Sequence, residues 1–262
     1  MAGSRIKIFL NGCGVLLLLL LIAAILFPIF TQVRCPPGPC QNSCQSNERL
    51  VGLAILQYVQ DYDEKFPCGL NKTGVGWAGT VQNYVKSTGV FHCPDDPTKP
   101  VGAAVPDSYA LNRNFQRGAK RPISLTIVEA PPQTVMVFEI TGNQARLDLS
   151  DEGASAGATS FSSVGDGTDG SLRAGEDNAK YSTGYMGKRP VSAVDSQFDA
   201  PTGRHYDGSN FLMDDGHVKY LLPQQVSPGA DAKDKKDAQT GGIIGRAAGT
   251  ANTAYDATFS TE

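Results

Sequence analysis

One stretch limits what this chain can become more than any other: the apolar run Ile8 to Phe30, IFLNGCGVLLLLLLIAAILFPIF, in which Asn11 is the one clearly polar side chain. A helix rises about 1.5 Å per residue, so such a run reaches roughly 34 Å, enough to cross a hydrocarbon core of about 30 Å. Arg5 and Lys7 stand just before it. The positive-inside bias then keeps the N-terminus cytoplasmic and sends the chain from Thr31 onward across the membrane. A cleaved secretory signal is the alternative, but Thr31, Gln32, Val33 and Arg34 lack a small-x-small cleavage pattern. The expectation is a retained single-pass anchor over residues 1–34 with an extracytoplasmic body. Pro28 removes one backbone donor near the end of the run and kinks the helix there.

Export changes how the cysteines are read. Of the six, at 13, 35, 40, 44, 68 and 93, only Cys13 lies in the apolar run. The other five are placed where oxidation is permitted. Spacing does not determine connectivity. The two pairings expected are Cys35 with Cys40, which closes a short loop, and Cys68 with Cys93, which brackets one compact segment. A zinc site built from Cys44, Cys68, Cys93 and His92 is the competing reading, weakened by the lack of a CxxC pair and by His92 adjoining Cys93.

Past the anchor, Cys35-Pro-Pro-Gly-Pro-Cys40 forbids a continuous helix, since an interior proline costs about 3 kcal/mol, so residues 35–41 are expected to form a hinge. Asn42 and Gln45 have capping-box spacing. The helix that follows is expected to turn Leu50, Val51, Leu53, Ala54, Ile55, Tyr58, Val59 and Tyr62 inward and Glu48, Arg49, Gln57, Gln60 and Asp61 outward. A second amphipathic helix is predicted from Trp77 to Ser87. Short strands follow at Ser108 to Asn112, Ile123 to Glu129 and Thr134 to Ile140, read as an antiparallel meander.

Residues 150–199 are rich in Gly, Ser, Ala and Asp and read as a loop-rich insertion, ordered only in part. Its acids Asp166, Asp169, Glu176 and Asp177 are calcium candidates without EF-hand spacing. A hairpin is then predicted, with strands Asn210 to Asp214 and His217 to Leu221 around Asp215-Gly216, because glycine accepts positive φ without strain. Phe211 and Met213 are placed on one face, with Val218 and Tyr220 as cross-strand partners. The head is thus expected over 42–223, with a flexible tail over 224–262 that could instead order against a neighbouring subunit.

Several of these stretches together resemble the bacterial type IV pilin-like or pseudopilin family, in the group marked by His, nine residues, then Asp-Gly. His205, the nine residues Tyr206 to Asp214, and Asp215-Gly216 fit that mark. So do Ala-Ala-Ile-Leu-Phe-Pro28, Cys44-Gln-Ser-Asn, Tyr58-Val-Gln-Asp-Tyr-Asp-Glu-Lys-Phe-Pro67, Phe91-His-Cys-Pro-Asp95 and Ser108-Tyr-Ala-Leu-Asn112. The resemblance implies an α+β pilin-like fold, with a membrane helix and an amphipathic stem helix on a small antiparallel sheet. It also implies a structural role in a type IV pilus, a type II secretion pseudopilus or a cell-surface filament, with copies of the same or related subunits as partners. Two departures stand out. Alignment on Pro28 puts Ile6 at the prepilin processing glycine and Asn11 at the family's glutamate, and the Cys35 to Cys40 segment interrupts the stem.

Three classes of function follow. The first is a structural subunit, non-enzymatic and without a cofactor apart from the calcium candidates, anchored in the inner membrane or carried into an extracellular filament. The second is an anchored envelope module binding glycan or protein. The third is a metal-dependent enzyme using His205 and His217 with Asp207, Asp214 and Asp215. A net charge of −3 without a basic stripe argues against nucleic acid.

Overall fold

A computed structural model describes residues 40–69, 74–117, 121–147, 162–167, 179–187, 197–229, 232–238 and 247–262. They all fall within one compact unit, Pro37–Glu262. The apolar run with Pro28, and most of the hinge, lie outside the described residues. Among those described, no helix is long and apolar enough to cross a membrane.

Helix α1 spans Gln41–Asp61, and its N-cap is Cys40, without a side-chain cap, so the Asn42 and Gln45 box is not used. Its buried line runs Cys44, Glu48, Val51 with Gly52, Ile55 and Val59, in steps of three and four. This departs from the expected face. Glu48 is fully buried, whereas Leu50, Leu53 and Tyr62 are 45%, 58% and 53% exposed. Two contacts set the rotation. A disulfide joins Cys44 to Cys93, and Gly52 lets the helix sit so close to the sheet that a Cβ there would lie 2.8 Å from Leu212 Cδ1. The helix ends where Asp63 and Glu64 adopt left-handed φ of 54° and 57° and Glu64 N donates to Val59 O at 3.0 Å.

Helix α2 is one short turn, Trp77–Val81, followed by a 3-10 turn Gln82–Tyr84 and extended Val85, so the predicted helix to Ser87 stops early. Trp77 anchors it, donating from Nε1 to Ser163 O at 2.8 Å, while Ala78 N donates to Ser162 Oγ at 3.1 Å.

The strands are β1 (Val105–Pro106), β2 (Tyr109–Asn112), β3 (Val135–Thr141), β4 (Gln144–Ala145), β5 (Ser163–Gly165), β6 (Lys180–Tyr181), β7 (Ser209–Met213), β8 (Val218–Leu221), β9 (Val226–Ser227) and β10 (Ala257–Thr258). The main sheet runs β5-β2-β3-β7-β8, with β6 paired to the end of β3. Its β2–β3, β3–β7, β7–β8 and β3–β6 pairings are antiparallel, and β5 joins β2 in parallel. The fold is therefore α+β. Side chains alternate between its two faces. Tyr109, Leu111, Val137 and Leu212 pack with Val51, Ile55 and Trp77 on the helix side. Ala110, Phe138, Ile140, Phe211 and Met213 pack with Tyr181, Met186 and Phe259 on the other.

Three further expectations are corrected. Ile123 to Glu129 is not a strand: it holds a 3-10 turn, Leu125–Ile127, opened by Ser124 Oγ accepting from Thr126 N. Leu125 N donates instead to Glu64 O at 2.8 Å, which ties this segment to the end of α1. The insertion, expected to be ordered in part, supplies two short strands, β5 and β6. Register places Val218 opposite Leu212 and Tyr220 opposite Asn210, hence on the face away from Phe211 and Met213.

The last correction concerns the tail, which is packed on the sheet through its described residues rather than flexible. β9 and β10 pair in parallel, Phe259 packs edge-on against Phe138 at 5.1 Å, and Asn112 and Asn114 both donate to Phe259 O, at 2.9 and 2.8 Å. The small residues Ala247, Ala248 and Ala257 are buried, giving the tail the close approach that its few large apolar residues did not suggest.

Candidate functional site

The predicted hairpin is present as β7 and β8. Its turn is closed by Gly216 N donating to Met213 O at 3.0 Å, and Gly216 sits at φ 87°. Met213 N donating to His217 O at 2.8 Å makes the loop Asp214-Asp215-Gly216, a three-residue connection. At the opposite end of β7, His205 N donates to Gly208 O at 2.9 Å, and Tyr206 takes a left-handed φ of 63°. That tight turn buries the His205 side chain completely.

His205 sits at the centre of a buried polar cluster. Its Nε2 lies 2.8 Å from Glu139 Oε1, and its Nδ1 lies 3.0 Å from Asp95 Oδ2. Glu139 occupies the middle of β3, where neighbours Phe138 and Ile140 face the tail side. Alternation therefore turns the carboxylate toward α1. There Asn210 N donates to Glu139 Oε2 at 3.1 Å, and Cys93 Sγ lies 3.9 Å from His205 Nε2.

Arg204, adjoining His205, supplies positive charge. Its guanidinium nitrogens lie 3.7 Å from Asp96 Oδ2 and 3.8 Å from Glu139 Oε1. The same side chain donates to Ile140 O and, at 3.2 Å, to Ser182 Oγ. Burial works to raise the Asp96 carboxyl, but the Arg204 charge and the hydroxyls of Thr98, Ser108 and Thr141 outweigh it and hold it below its usual range. Glu48, projecting from α1, behaves in the opposite way. Burial, reinforced by the charge of Glu139 and offset only in part by Arg204, pushes its carboxyl well above the ordinary range. Neither Glu48 oxygen has a hydrogen-bond partner.

A cavity of about 240 Å³ lies beside the cluster, lined by Asp95, Thr141, Ser182, Asp199, Gly203 and Arg204 among others. It gives Asp95 and Arg204 a polar recess next to an otherwise closed core.

The sequence candidates separate. His205 enters the cluster, whereas Asp214, Asp215, Gly216 and His217 lie beyond β7, whose five residues span roughly 17 Å. Asp215 Oδ1 pairs with His217 Nδ1 on the exposed turn. Asp207 is exposed in the His205 turn. The two histidines thus do not form one site with the hairpin acids, and the His205 side chain bonds to carboxylates.

Asp214 is almost fully buried, with no hydrogen-bond partner for either carboxylate oxygen. Burial and the adjacent Asp215 charge push it up to about 7. Of the calcium candidates, Asp166 is buried and paired with Arg113 at 2.8 Å, and Asp169, Glu176 and Asp177 lie outside the described residues.

Cysteine pairing is also corrected. Cys93 bonds to Cys44, not Cys68, because α1 lays Cys44 against the Phe91 to Asp96 segment with a Cα separation of 4.9 Å. Cys68 is free and half-buried. Cys68 and His92, from the competing zinc reading, are not in the cluster that Cys44 and Cys93 form with Glu139 and His205. Cys40 is disulfide-bonded, and Cys35, its expected partner, lies outside the described residues.

Sequence reasoning missed Glu48, Asp96, Glu139 and Arg204. Two signals were available: Glu139 interrupts the apolar run Val135 to Ile140, and Arg204 directly precedes the motif histidine. Comparison with protein-family models, with curated proteins and with solved structures gives no match.

Proposed function

We propose that this chain is a membrane-anchored, pilin-like structural subunit that assembles outside the cytoplasm with copies of itself or related chains. The run Ile8 to Phe30 supplies the anchor in this reading, and the α+β unit forms the head. The observation that carries it is the outer face of α1. Leu50 and Leu53 are exposed and Leu56 is half-buried, three leucines at intervals of three along one side. The opposite side already serves the sheet. A helix needs only one apolar face to hold its own head, so a second favours burial against another subunit.

The test is assembly of the full chain extracted in mild detergent. Wild type is expected as high-mass polymers or filaments by sedimentation and electron microscopy, and Leu53→Asp as dispersed subunits with unchanged circular dichroism. Wild type recovered solely as monomers overturns the reading.

A second reading, an envelope-binding module, is favoured by the recess beside Asp95 and Arg204. Its polar lining suits a small hydroxylated or charged ligand. Titration of the full chain with soluble envelope saccharides tests it, and heat on binding that vanishes in Asp199→Ala would support it.

A further inference from the structure

Four ligand-type atoms converge inside the head from four separate parts of the chain. Cys44 Sγ on α1, Cys93 Sγ after the 3-10 turn Thr88–Phe91, a Glu139 carboxylate oxygen on β3 and a His205 ring nitrogen before β7 all lie within 4.8 Å of one another, and all four residues are buried. In the oxidised chain the two sulfurs bond to each other. We propose that when this disulfide is reduced, the same four residues form a closed zinc site of two thiolates, one imidazole and one carboxylate.

The spacing suits the ion. Tetrahedral zinc with Zn–S near 2.3 Å and Zn–N near 2.05 Å has a sulfur to nitrogen edge of about 3.6 Å. The Cys93 Sγ to His205 Nε2 distance is 3.9 Å. Glu139 Oε1 is 2.8 Å from the same nitrogen, so the two need to part by only about 0.5 Å to span a nitrogen to oxygen edge of the same tetrahedron. Reduction frees the two sulfurs to part toward their own edge of about 3.8 Å.

The surroundings are those that tune a metal ligand. Asp95 Oδ2 lies 3.0 Å from His205 Nδ1 and fixes the plane of the ring, and Nε2 becomes a ligand once the proton it shares with Glu139 Oε1 is lost. Asn210 N holds the second Glu139 oxygen, leaving the first for the ion. Two thiolates and a carboxylate against Zn²⁺ leave one negative charge, and the Arg204 guanidinium 3.8 Å from Glu139 offsets it. Four protein ligands leave no vertex for water, so this is a folding site rather than a hydrolytic one. Soft thiolates with an imidazole favour zinc over magnesium or calcium.

The chemistry balances. A dithiol reductant breaks the Cys44–Cys93 bond and becomes a disulfide itself, giving two cysteine thiols. Binding of Zn²⁺ then displaces to solvent both thiol protons and the proton shared between His205 Nε2 and Glu139 Oε1. The zinc form belongs wherever thiols are kept reduced, and oxidation of the cysteines expels the ion.

Cobalt alone serves as the probe, with the full chain in mild detergent. The chain is reduced with a phosphine, which takes oxygen from water to become its oxide, and the phosphine is removed without air. One Co²⁺ per chain is expected, with a thiolate charge-transfer band and tetrahedral d–d bands that Zn²⁺ abolishes. The oxidised chain shows none. His205→Asn and Glu139→Gln should each weaken Co²⁺ binding at least tenfold. Asp95→Asn, which acts through His205, should weaken it about tenfold. Cys68→Ser should leave it unchanged. Alkylation of the reduced wild type gives a readout that needs no variant: Zn²⁺ should protect Cys44 and Cys93 while Cys68 stays reactive. No Co²⁺ uptake, equal uptake by His205→Asn and Glu139→Gln, dependence on Cys68, or no zinc protection of Cys44 and Cys93 would each overturn the proposal.

Discussion

The Asn112 side chain donates to the backbone carbonyl of Phe259 at 2.9 Å, linking β2 to a residue 147 positions further along the chain. Asn114 makes a second bond to the same oxygen, and the Phe259 ring closes the sheet face that α1 does not cover. The end of the chain is therefore part of the core.

Phe259→Ala is expected to destabilise the head by about 3–5 kcal/mol, the range for deleting a fully buried phenylalanine. Urea unfolding of the full chain in detergent would measure it. A loss under about 1 kcal/mol would mean that the tail does not pack on Phe138.

His205→Ala leaves buried Glu139 and half-buried Asp95 without their shared partner. Leaving a buried hydrogen-bonding group without its partner costs about 1–3 kcal/mol, and more when the group is charged. The same unfolding experiment should show such a loss, with a smaller one for His205→Asn, which keeps a donor. Tyr206→Ala, an exposed change in the same turn, should cost less than either.

Asp214 makes stability depend on pH. Its carboxyl is raised in the folded chain to about 7, so its contribution is fully present below the usual aspartate range and is lost as pH rises through about 7. Asp214→Asn should therefore gain about 1–3 kcal/mol on wild type at pH 8 relative to their difference at pH 4. Unfolding midpoints of the two chains across that window would show it, and parallel curves would refute it.

Among the described residues Cys68 is the free thiol, and burial pushes it up, which slows its reaction near neutral pH. Alkylation of the unreduced, denatured chain followed by peptide mapping should label Cys68 and recover Cys44 linked to Cys93. A Cys68 to Cys93 peptide would contradict the fold.

Local patterns were readable where one stretch carries its own physics. Asp215-Gly216 marked the hairpin because a turn needs a residue that accepts positive φ, and three- and four-residue spacing marked α1. The rotation of α1 was not readable. Leu50 and Leu53 look like core residues by hydropathy, yet the disulfide at Cys44 and the close approach at Gly52 turn Glu48 inward instead. The cluster was legible only at His205, since its partners Asp95, Glu139 and Arg204 are distant in sequence or read as ordinary charged residues.

By itself the sequence determined the position of α1 and of the hairpin, the Phe211 and Met213 face, and the expectation of an anchor from Ile8 to Phe30, all consequences of periodicity, turn chemistry and apolar length. Only the tertiary structure decided which cysteine Cys93 bonds, that Glu48 is buried beside Arg204 and Glu139, and that Phe259 covers the sheet face opposite α1. These depend on contacts between segments some 50 to 150 residues apart. Such contacts form when several elements pack at once, and no local pattern encodes them.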